Sequence, residues 1–488
     1  MRFIAAALIA LLAATAAAAA ITITALTGRV MSGGTAAAGV TVTVTSPALQ
    51  QPRTATTNAD GFYWLEALPP GTYEVSFSRA GLSSLIRPAL LELGRIARAD
   101  AQLEPSEDEE SVTSTAIPMR VADDPEVTSH FDDAELDRLP LSLDRVSAAL
   151  LAPGRLQGPV SVDDVQLDRL PFLGYESVEQ LTVFRGHREA IVARTRSGGE
   201  DFSLSVRDTY FAHEGHLFET ASGGRIIPER LWFFASGWGG VDDGFVVKLT
   251  TETLTGSLVH AGDDTAGGLR YTAYYNGRTT VDALLSEDSA ARVSHLFGNH
   301  LLALDAGRDE VFLSDRWSTA RFAVHGGMQH RDGDTSARIA AIYDVRGNGR
   351  QALTGSVGDE LVSAGFLTAI GSTGTARVDY LRREGGGEMQ LDVRYSLFAR
   401  LFTGGSYTYA DEHRGNAFVS TQLPLGEHEL GMTLLERYEQ RAWATDAALR
   451  YTIPFNKFGL TVAGDLTNAL ASERVEARSW RLWARIRL

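Results

Sequence analysis

His213-Glu214-Gly215-His216 puts two imidazoles and a carboxylate within one short stretch, side chains from which a zinc site can be built. A helical zinc motif needs His-Glu-x-x-His so that both rings share one face; this spacing differs, and the stretch reads as a rim loop. Asp123-Asp124 and Asp132-Asp133 offer hard oxygen ligands for calcium but lack the alternating spacing of a calcium loop, so they read as solvating residues. Asp242-Asp243 and Asp263-Asp264 offer paired carboxylates of the kind used in glycoside hydrolysis. Sequence neighbours point apart, however, and both pairs read as turns. No Gly-x-Ser-x-Gly or Walker loop is present. The expectation is a chain without catalytic residues, metal centre or cofactor, and not an enzyme.

The 488 residues carry a formal charge of −16 and a pI near 5.2, which argues against nucleic acid as a partner. Lys248 and Lys457 are the only lysines among 45 basic residues. That imbalance reads as coding bias, although arginine also suits bidentate binding of carboxylates. Residues 1–20, MRFIAAALIALLAATAAAAA, have one positive charge, a short apolar run and small residues after it. They read as a secretory signal peptide with cleavage among Ala16–Ala20. No later stretch approaches the length of an apolar transmembrane helix. The absence of cysteine excludes a disulfide scaffold, a cysteine-linked lipid anchor and thiolate metal sites.

The elements that would position any function fall into regions of different composition. Residues 22–104 are short β-patterned runs, with Val40–Val44 and Tyr73, Val75 and Phe77 alternating between turns at Asp60-Gly61 and Pro69-Pro70-Gly71; they read as a small β-sandwich. Residues 105–126 are acidic with few large apolar side chains and read as a linker. Within it, Glu110–Ala116 is a β-prone heptad, able to add as a strand to the sheet edge of another protein. Residues 127–199 combine short helical pieces with strand patterns at SVEQLTVFRG and AIVARTRSGG.

From Asp201 onward the period is two. Met389, Leu391, Val393 and Tyr395 alternate with Gln390, Asp392 and Arg394, and Leu449 and Tyr451 with Ala448 and Arg450. The chain closes on SWRLWARIRL, with Trp480, Leu482, Ala484 and Ile486 on one face and Arg481, Arg485 and Arg487 on the other. Either the apolar face covers a core and the arginines meet water, as in a large secreted β protein, or it meets lipid and the arginines line a lumen. Segment lengths suit the second reading. Aromatics near segment ends (Trp232, Phe233, Tyr271, Tyr274, Tyr275, Tyr395, Tyr407, Tyr409, Tyr451 and Trp480) could form interfacial girdles. At about 18 residues per strand and connection, residues 201–488 predict an antiparallel transmembrane barrel of roughly 16 strands, within 12 to 18.

Two resemblances sharpen this reading. Gly61-Phe62-Tyr63 and Leu68-Pro69-Pro70-Gly71-Thr72-Tyr73 resemble the strand and turn of the carboxypeptidase regulatory-like, or transthyretin-like, domain, an accessory module. From Ser111 on, the order of motifs resembles a TonB-dependent receptor of the Oar-like branch. Leu139-Pro140-Leu141 with Leu150–Gly154 is similar to the opening of that family's plug, Val178–Gly186 to its strand ending in Arg-Gly, and Thr195–Gly199 to its exit into the barrel. Arg225–Phe234 is similar to an early barrel hairpin and Asp465–Asn468 to a late strand. There are departures. The plug and the barrel are short for the family, His187 follows Arg185-Gly186 where proline is usual, and the last residue is leucine, not an aromatic.

The resemblance implies an outer-membrane protein for uptake or passage of an unidentified ligand, with its N-terminal domain in the periplasm. The implied domains are a signal peptide (1–20), sandwich (22–104), linker (105–126), shortened plug (127–199) and barrel (201–488). Glu110, Ser111, Val112, Thr113, Ser114 and Thr115 would contact the energy transducer TonB. Arg185 and Gly186 would join plug to barrel, Arg185 by pairing with acidic wall residues. Outer-membrane lipid would surround the barrel, and the C-terminal strand would engage the barrel-assembly machinery. The shortened plug favours an alternative, a non-transporting barrel whose sandwich or loops bind an envelope protein or a glycan.

Overall fold

A computed structural model describes the chain except residues 1–23, 47–48, 50, 92–95, 106–110, 114–127, 140–144, 155–158, 168–170 and 186–188, and except residues 213, 276–277, 287–288, 308–309, 320, 332, 347–349, 360, 371–373, 384–385, 399, 411–412, 440–441, 456–457 and 472–478 in the barrel connections. The expected signal peptide, with Glu110, Ser114, Thr115, Gly186 and His187, lies outside the described residues.

Period-two valines and aromatics build the N-terminal sandwich. Its strands are β1 (Ala25–Ser32), β2 (Thr35–Ala36), β3 (Thr41–Thr45), β4 (Arg53–Thr56), β5 (Phe62–Glu66), β6 (Gly71–Ser78), β7 (Ser84–Leu91), β8 (Ile96–Arg98) and β9 (Ala101–Leu103). One sheet is centred on β1, which pairs with β2, β5, β8 and β9; the other runs β4-β3-β6-β7. Val42, Val44, Tyr73, Val75 and Phe77 point into the core between them. The buried phenols find acceptors, Tyr63 donating to the Ala99 carbonyl (2.6 Å) and Tyr73 to that of Pro69 (2.6 Å). A short strand, β10 (Ser111–Thr113), runs parallel to β7, with Val112 opposite Leu85. The described part of the linker heptad thus lies on the edge of the chain's own sandwich.

The next unit is a small sheet with a helical cap. Its elements are β11 (Thr128–Phe131), α1 (Asp133–Arg138), a 3-10 turn (Val146–Leu151), β12 (Val160–Val162), β13 (Val165–Leu167), β14 (Val178–Arg185) and β15 (Glu189–Thr195). The sheet order is β11-β14-β15-β12-β13. Asp132 caps α1 by accepting from the Glu135 amide at 2.8 Å, and Leu136 is the side chain α1 buries.

Twenty-two antiparallel strands, β16 (Ser203–Phe211) to β37 (Ser479–Arg487), then close on themselves. The seam pairs β16 with β37, Arg207 opposite Arg485 and Thr209 opposite Trp483, so no sheet edge is left open to lipid. The expectation of roughly 16 strands is corrected to 22, and the barrel is not reduced in strand number. The estimate allowed about 18 residues per strand, whereas the observed repeat is about 13, because connections shrink to tight turns. Gly262 and Asp263 alone link β20 (Leu254–Ala261) to β21 (Asp264–Tyr275). Strand length varies round the ring: β19 (Gly244–Thr250), β22 (Thr279–Leu285) and β24 (His300–Ala306) have 7 residues each. On the opposite arc β31 (Gly386–Phe398), β35 (Ala442–Pro454) and β36 (Gly459–Ala471) have 13 each.

The apolar face of the alternation points outward. Leu482 and Ile486 are exposed while Arg481 and Trp483 are buried inside, and Met389, Leu391 and Leu449 are exposed where Gln390 and Ala448 are buried. Contiguous apolar exposure on this scale in a closed barrel suits hydrocarbon rather than water. Two of the expected girdle aromatics turn inward instead. Trp232 is buried and donates to Glu200 at 3.1 Å, and Tyr274 donates to the Ala67 carbonyl of the sandwich at 2.8 Å. Proximity to a strand end does not set the face; the pleat does.

Leu434, on β34 (His428–Glu439), is exposed on the outer face near mid-strand. Leu434→Arg should lower the stability of the folded barrel in lipid by about 2–4 kcal/mol, read as a reduced urea midpoint for loss of the heat-modifiable folded band. An unchanged midpoint would mean that this face does not meet hydrocarbon.

Candidate functional site at the plug and barrel wall

The 127–199 unit sits inside the barrel as a plug, and three groups of buried polar side chains hold it. The first forms at the closing seam. One turn apart on α1, Asp133 and Asp137 share a face, and the fully buried Arg145 guanidinium bonds to both carboxylates and to the Val178 carbonyl (2.7 Å). Arg196 adds a second cation to Asp133 and donates to the Glu176 carbonyl at 3.2 Å. From the wall, Arg485 reaches Asp137 (3.3 Å) and Glu176 (3.4 Å), and Arg487 reaches Glu176 (3.3 Å). Ser205 of β16 donates to Glu176 at 2.7 Å. Higher on the seam, Arg207 lies between the rings of Tyr175 (4.0 Å) and Trp483 (4.1 Å), while Arg481 bonds to the Tyr175 hydroxyl and to Asp465 (2.6 Å). The arginines of the final strand are therefore lumenal and bind the plug.

Burial alone would raise both plug carboxylates, but their cations win. Glu176 is held down at about 2 by Arg485 and Arg487, and Asp137 is held well below the usual carboxylate range by Arg145 and Arg485. Breaking such a pair from one side strands a charge in a dry site, at about 3–5 kcal/mol.

The second group is the tip of the β12–β13 hairpin. Asp163 (φ 49°) and Asp164 (φ 68°) both adopt left-handed backbone, as a two-residue turn between twisted strands demands. The turn aims both carboxylates at the wall. Asp163 accepts from Lys248 of β19 (3.2 Å) and from the Thr195 amide (3.1 Å), and Asp164 pairs with Arg270 of β21, which also pairs with Asp282. Lys248 is thus one of the two lysines and is buried in a plug contact.

The third group surrounds Arg185 at the end of β14. Its guanidinium donates to Gln390 (2.6 Å), the Pro153 carbonyl (3.0 Å) and Ser129 (2.8 Å), and Ser129 passes the contact on to Asp392. The expected pairing with an acidic wall residue is therefore relayed through a hydroxyl. Burial pulls Arg185 down to about 10, against the opposing pull of the Asp392 carboxylate. Gly154 permits this packing: its φ is +84°, and a Cβ there would meet the Gln390 amide nitrogen at 2.6 Å. Arg383 of β30 (Gly374–Arg383) donates to the Arg185 carbonyl (2.9 Å) and pairs with Glu189.

Arg185 was legible in the sequence, whereas Asp137, Arg145, Asp163, Asp164 and Glu176 were not. Val-Asp-Asp-Val at 162–165 is a hairpin signal that could have exposed two of them. Of the residues considered for chemistry, Asp132 and Asp133 serve as helix cap and ion-pair partner, not as solvating groups. Asp242 accepts from the Asp243 amide in a turn (2.7 Å), and His216 bonds to Asp208 (3.1 Å). Among the described residues no group of three or more His, Asp or Glu side chains is placed to hold a metal ion.

A closed 22-stranded barrel with a sheet-built plug anchored in its lumen is the fold of TonB-dependent outer-membrane receptors. Solved receptors share it. The ferric preacinetobactin receptor BauA of Acinetobacter baumannii superposes with a TM-score of 0.54 at 8% identity, over 75% of this chain and 97% of that one. A mutant of the ferric enterobactin receptor PfeA of Pseudomonas aeruginosa gives 0.55 at 10% identity, over 74% and 98%. In sequence, the chain is similar to the TonB-dependent transporter Oar of Myxococcus xanthus, 34% identical in an alignment of 262 residues that covers 41% of this chain. The match spans 25% of Oar's own length. Residues 25–104 match the carboxypeptidase regulatory-like domain.

The stabilisation from Glu176 is complete above its ordinary value of 4.5 and is lost as pH falls towards about 2. Protease resistance of the plug in membranes should therefore hold from about pH 7 to 5 and fall below about pH 4; loss already near neutrality would contradict the ion network. At neutral pH, Arg145→Met should make the plug cleavable while the barrel band survives, through an uncompensated charge costing about 3–5 kcal/mol.

Proposed function

We propose that this chain is an outer-membrane receptor that moves a ligand inward with energy delivered by TonB. The regulatory-like domain and residues 105–126 would lie in the periplasm, and Glu110–Thr115 would be the TonB contact. One observation carries the reading. The plug shares a continuous core with the wall, Leu136, Val146, Leu181 and Val183 packing with Leu217, Trp238, Val246 and Phe418, and buried ion pairs reinforce it. A plug so held needs external work to move, which is what a periplasmic pull on an extended segment supplies.

The same geometry suggests where the ligand would meet the receptor. At the end remote from the sandwich, the turn 150–154 and the end of β14 lie beside Arg383 and beside Arg414, which donates to the Leu150 carbonyl at 2.8 Å. The barrel connections at that end are tight, such as Gly262 and Asp263. This supports recognition by plug apices and wall rather than by long loops, and it weighs against the alternative in which surface loops capture a partner.

Removing residues 110–116 should abolish capture of the chain by the C-terminal domain of TonB in a pull-down. Undiminished capture would remove the coupling claim and leave the non-transporting barrel as the better reading.

A further inference from the structure

Among the described residues, the plug does not reach the whole wall. The plug–wall contacts described above run from β30 through the seam to β21. The sandwich docks on the adjoining arc, at the end of the barrel from which β16 rises. Glu66, buried at the end of β5, accepts from Arg292 (2.8 Å) and Ser294 (2.9 Å) of β23 (Ala290–Phe297), and from Trp64 (3.1 Å). Arg292 is held in turn by Asp305 (2.8 Å). Asn58 donates to the Gly298 carbonyl (2.8 Å) and to Asn299 (3.3 Å), and Asn299 to Asp60 (3.1 Å). Arg53 covers the ring of Tyr274 at 3.6 Å. Between these polar contacts, Ala25, Phe62, Trp64 and Ile96 pack on lumenal Leu296 and Leu301.

The two occupants of the lumen are built differently. The plug's core includes wall residues, so the plug cannot leave without losing its core. Among the described residues, the sandwich core, Leu26 to Leu103, contains no barrel residue. That domain can leave its seat folded, giving up one buried ion pair, a few hydrogen bonds and a small apolar contact.

We propose that the regulatory-like domain is a second, detachable stopper, seated by Glu66 on Arg292, and that its departure opens the β21–β25 side of the barrel while the plug stays in place (β25 being Glu310–Ser318). The proposal rests on the reading of this chain as a membrane barrel and is independent of TonB.

The test is ion conductance of the full-length chain in planar bilayers. Glu66→Arg sets two cations against each other in the seat and should raise the open fraction by roughly 100-fold, the effect of leaving a buried charge unpaired. Because the chain has no cysteine, N58C and N299C can be joined selectively by a short reducible bismaleimide. Cross-linked E66R/N58C/N299C should be as silent as wild type and should open on reduction. Silent and open samples are then the same chain, so a folding defect cannot imitate the result. Conductance of E66R equal to wild type, or a cross-linked sample that conducts as freely as the reduced one, overturns the proposal. A wild-type chain without heat-modifiable migration overturns the membrane-barrel reading and the proposal with it.

Discussion

Charge neutralisation inside a closed apolar wall governs this molecule. The outer face of the barrel is committed to hydrocarbon, so arginines of the wall must find their carboxylates inward. At the seam the plug supplies carboxylates as well as the wall: Glu176 and Asp137 meet Arg485 and Arg487, Asp465 meets Arg481, and Arg145 ties the same cluster to α1. Closing the barrel and seating the plug are therefore one electrostatic problem. The last strand contributes to both, because Arg485 lies opposite Arg207 across the seam while its guanidinium reaches Asp137. An arginine-rich, lysine-poor chain suits this, since a planar guanidinium can bridge two acceptors where an ammonium is a point charge.

The hydrophobic cores divide the chain by function as much as by sequence. The plug and wall share one core, whereas the N-terminal sandwich keeps its own and meets the barrel through a compact seat. A plug with a shared core moves only if the wall contacts are broken; a domain with a private core moves as a body. The short strand β10 lies on that domain's edge rather than on the plug. The segment expected to take up mechanical load is thus attached, within the described residues, to the more independent of the two units.

What could be read from the sequence was the part set by period. Alternation assigned Leu482 and Ile486 to one side and Arg481 and Arg485 to the other, because side-chain direction in a strand depends only on parity. The regulatory-like motif around Pro69-Pro70-Gly71 located the sandwich. Strand number was not legible, since it depends on the length of every connection: a turn at Asp263-Asp264 was visible, but not that Gly262 and Asp263 alone make it. Nor were the partners of Arg185. Its bond to Gln390 depends on register round the barrel, and its bond to Ser129 on the pairing of β11 with β14 inside the plug. The positions of Trp232 and Tyr274 near strand ends were visible, but their inward direction follows from their place in the alternation of each strand.

The unequal strand lengths have a consequence for the surrounding membrane. A strand of 7 residues such as β22, inclined at about 45°, spans only roughly 16 Å, well under the ~25 Å apolar band of an outer-membrane barrel. The 13-residue strands of the opposite arc have length to spare. No bilayer of uniform thickness can match both sides, so acyl chains must shorten or splay along the low arc, at a cost of a fraction of a kcal/mol per ångström. Apart from the 12-residue β21, the short strands cluster on the flank where the sandwich is seated, so the barrel offers lipid a lower collar there than on the opposite side.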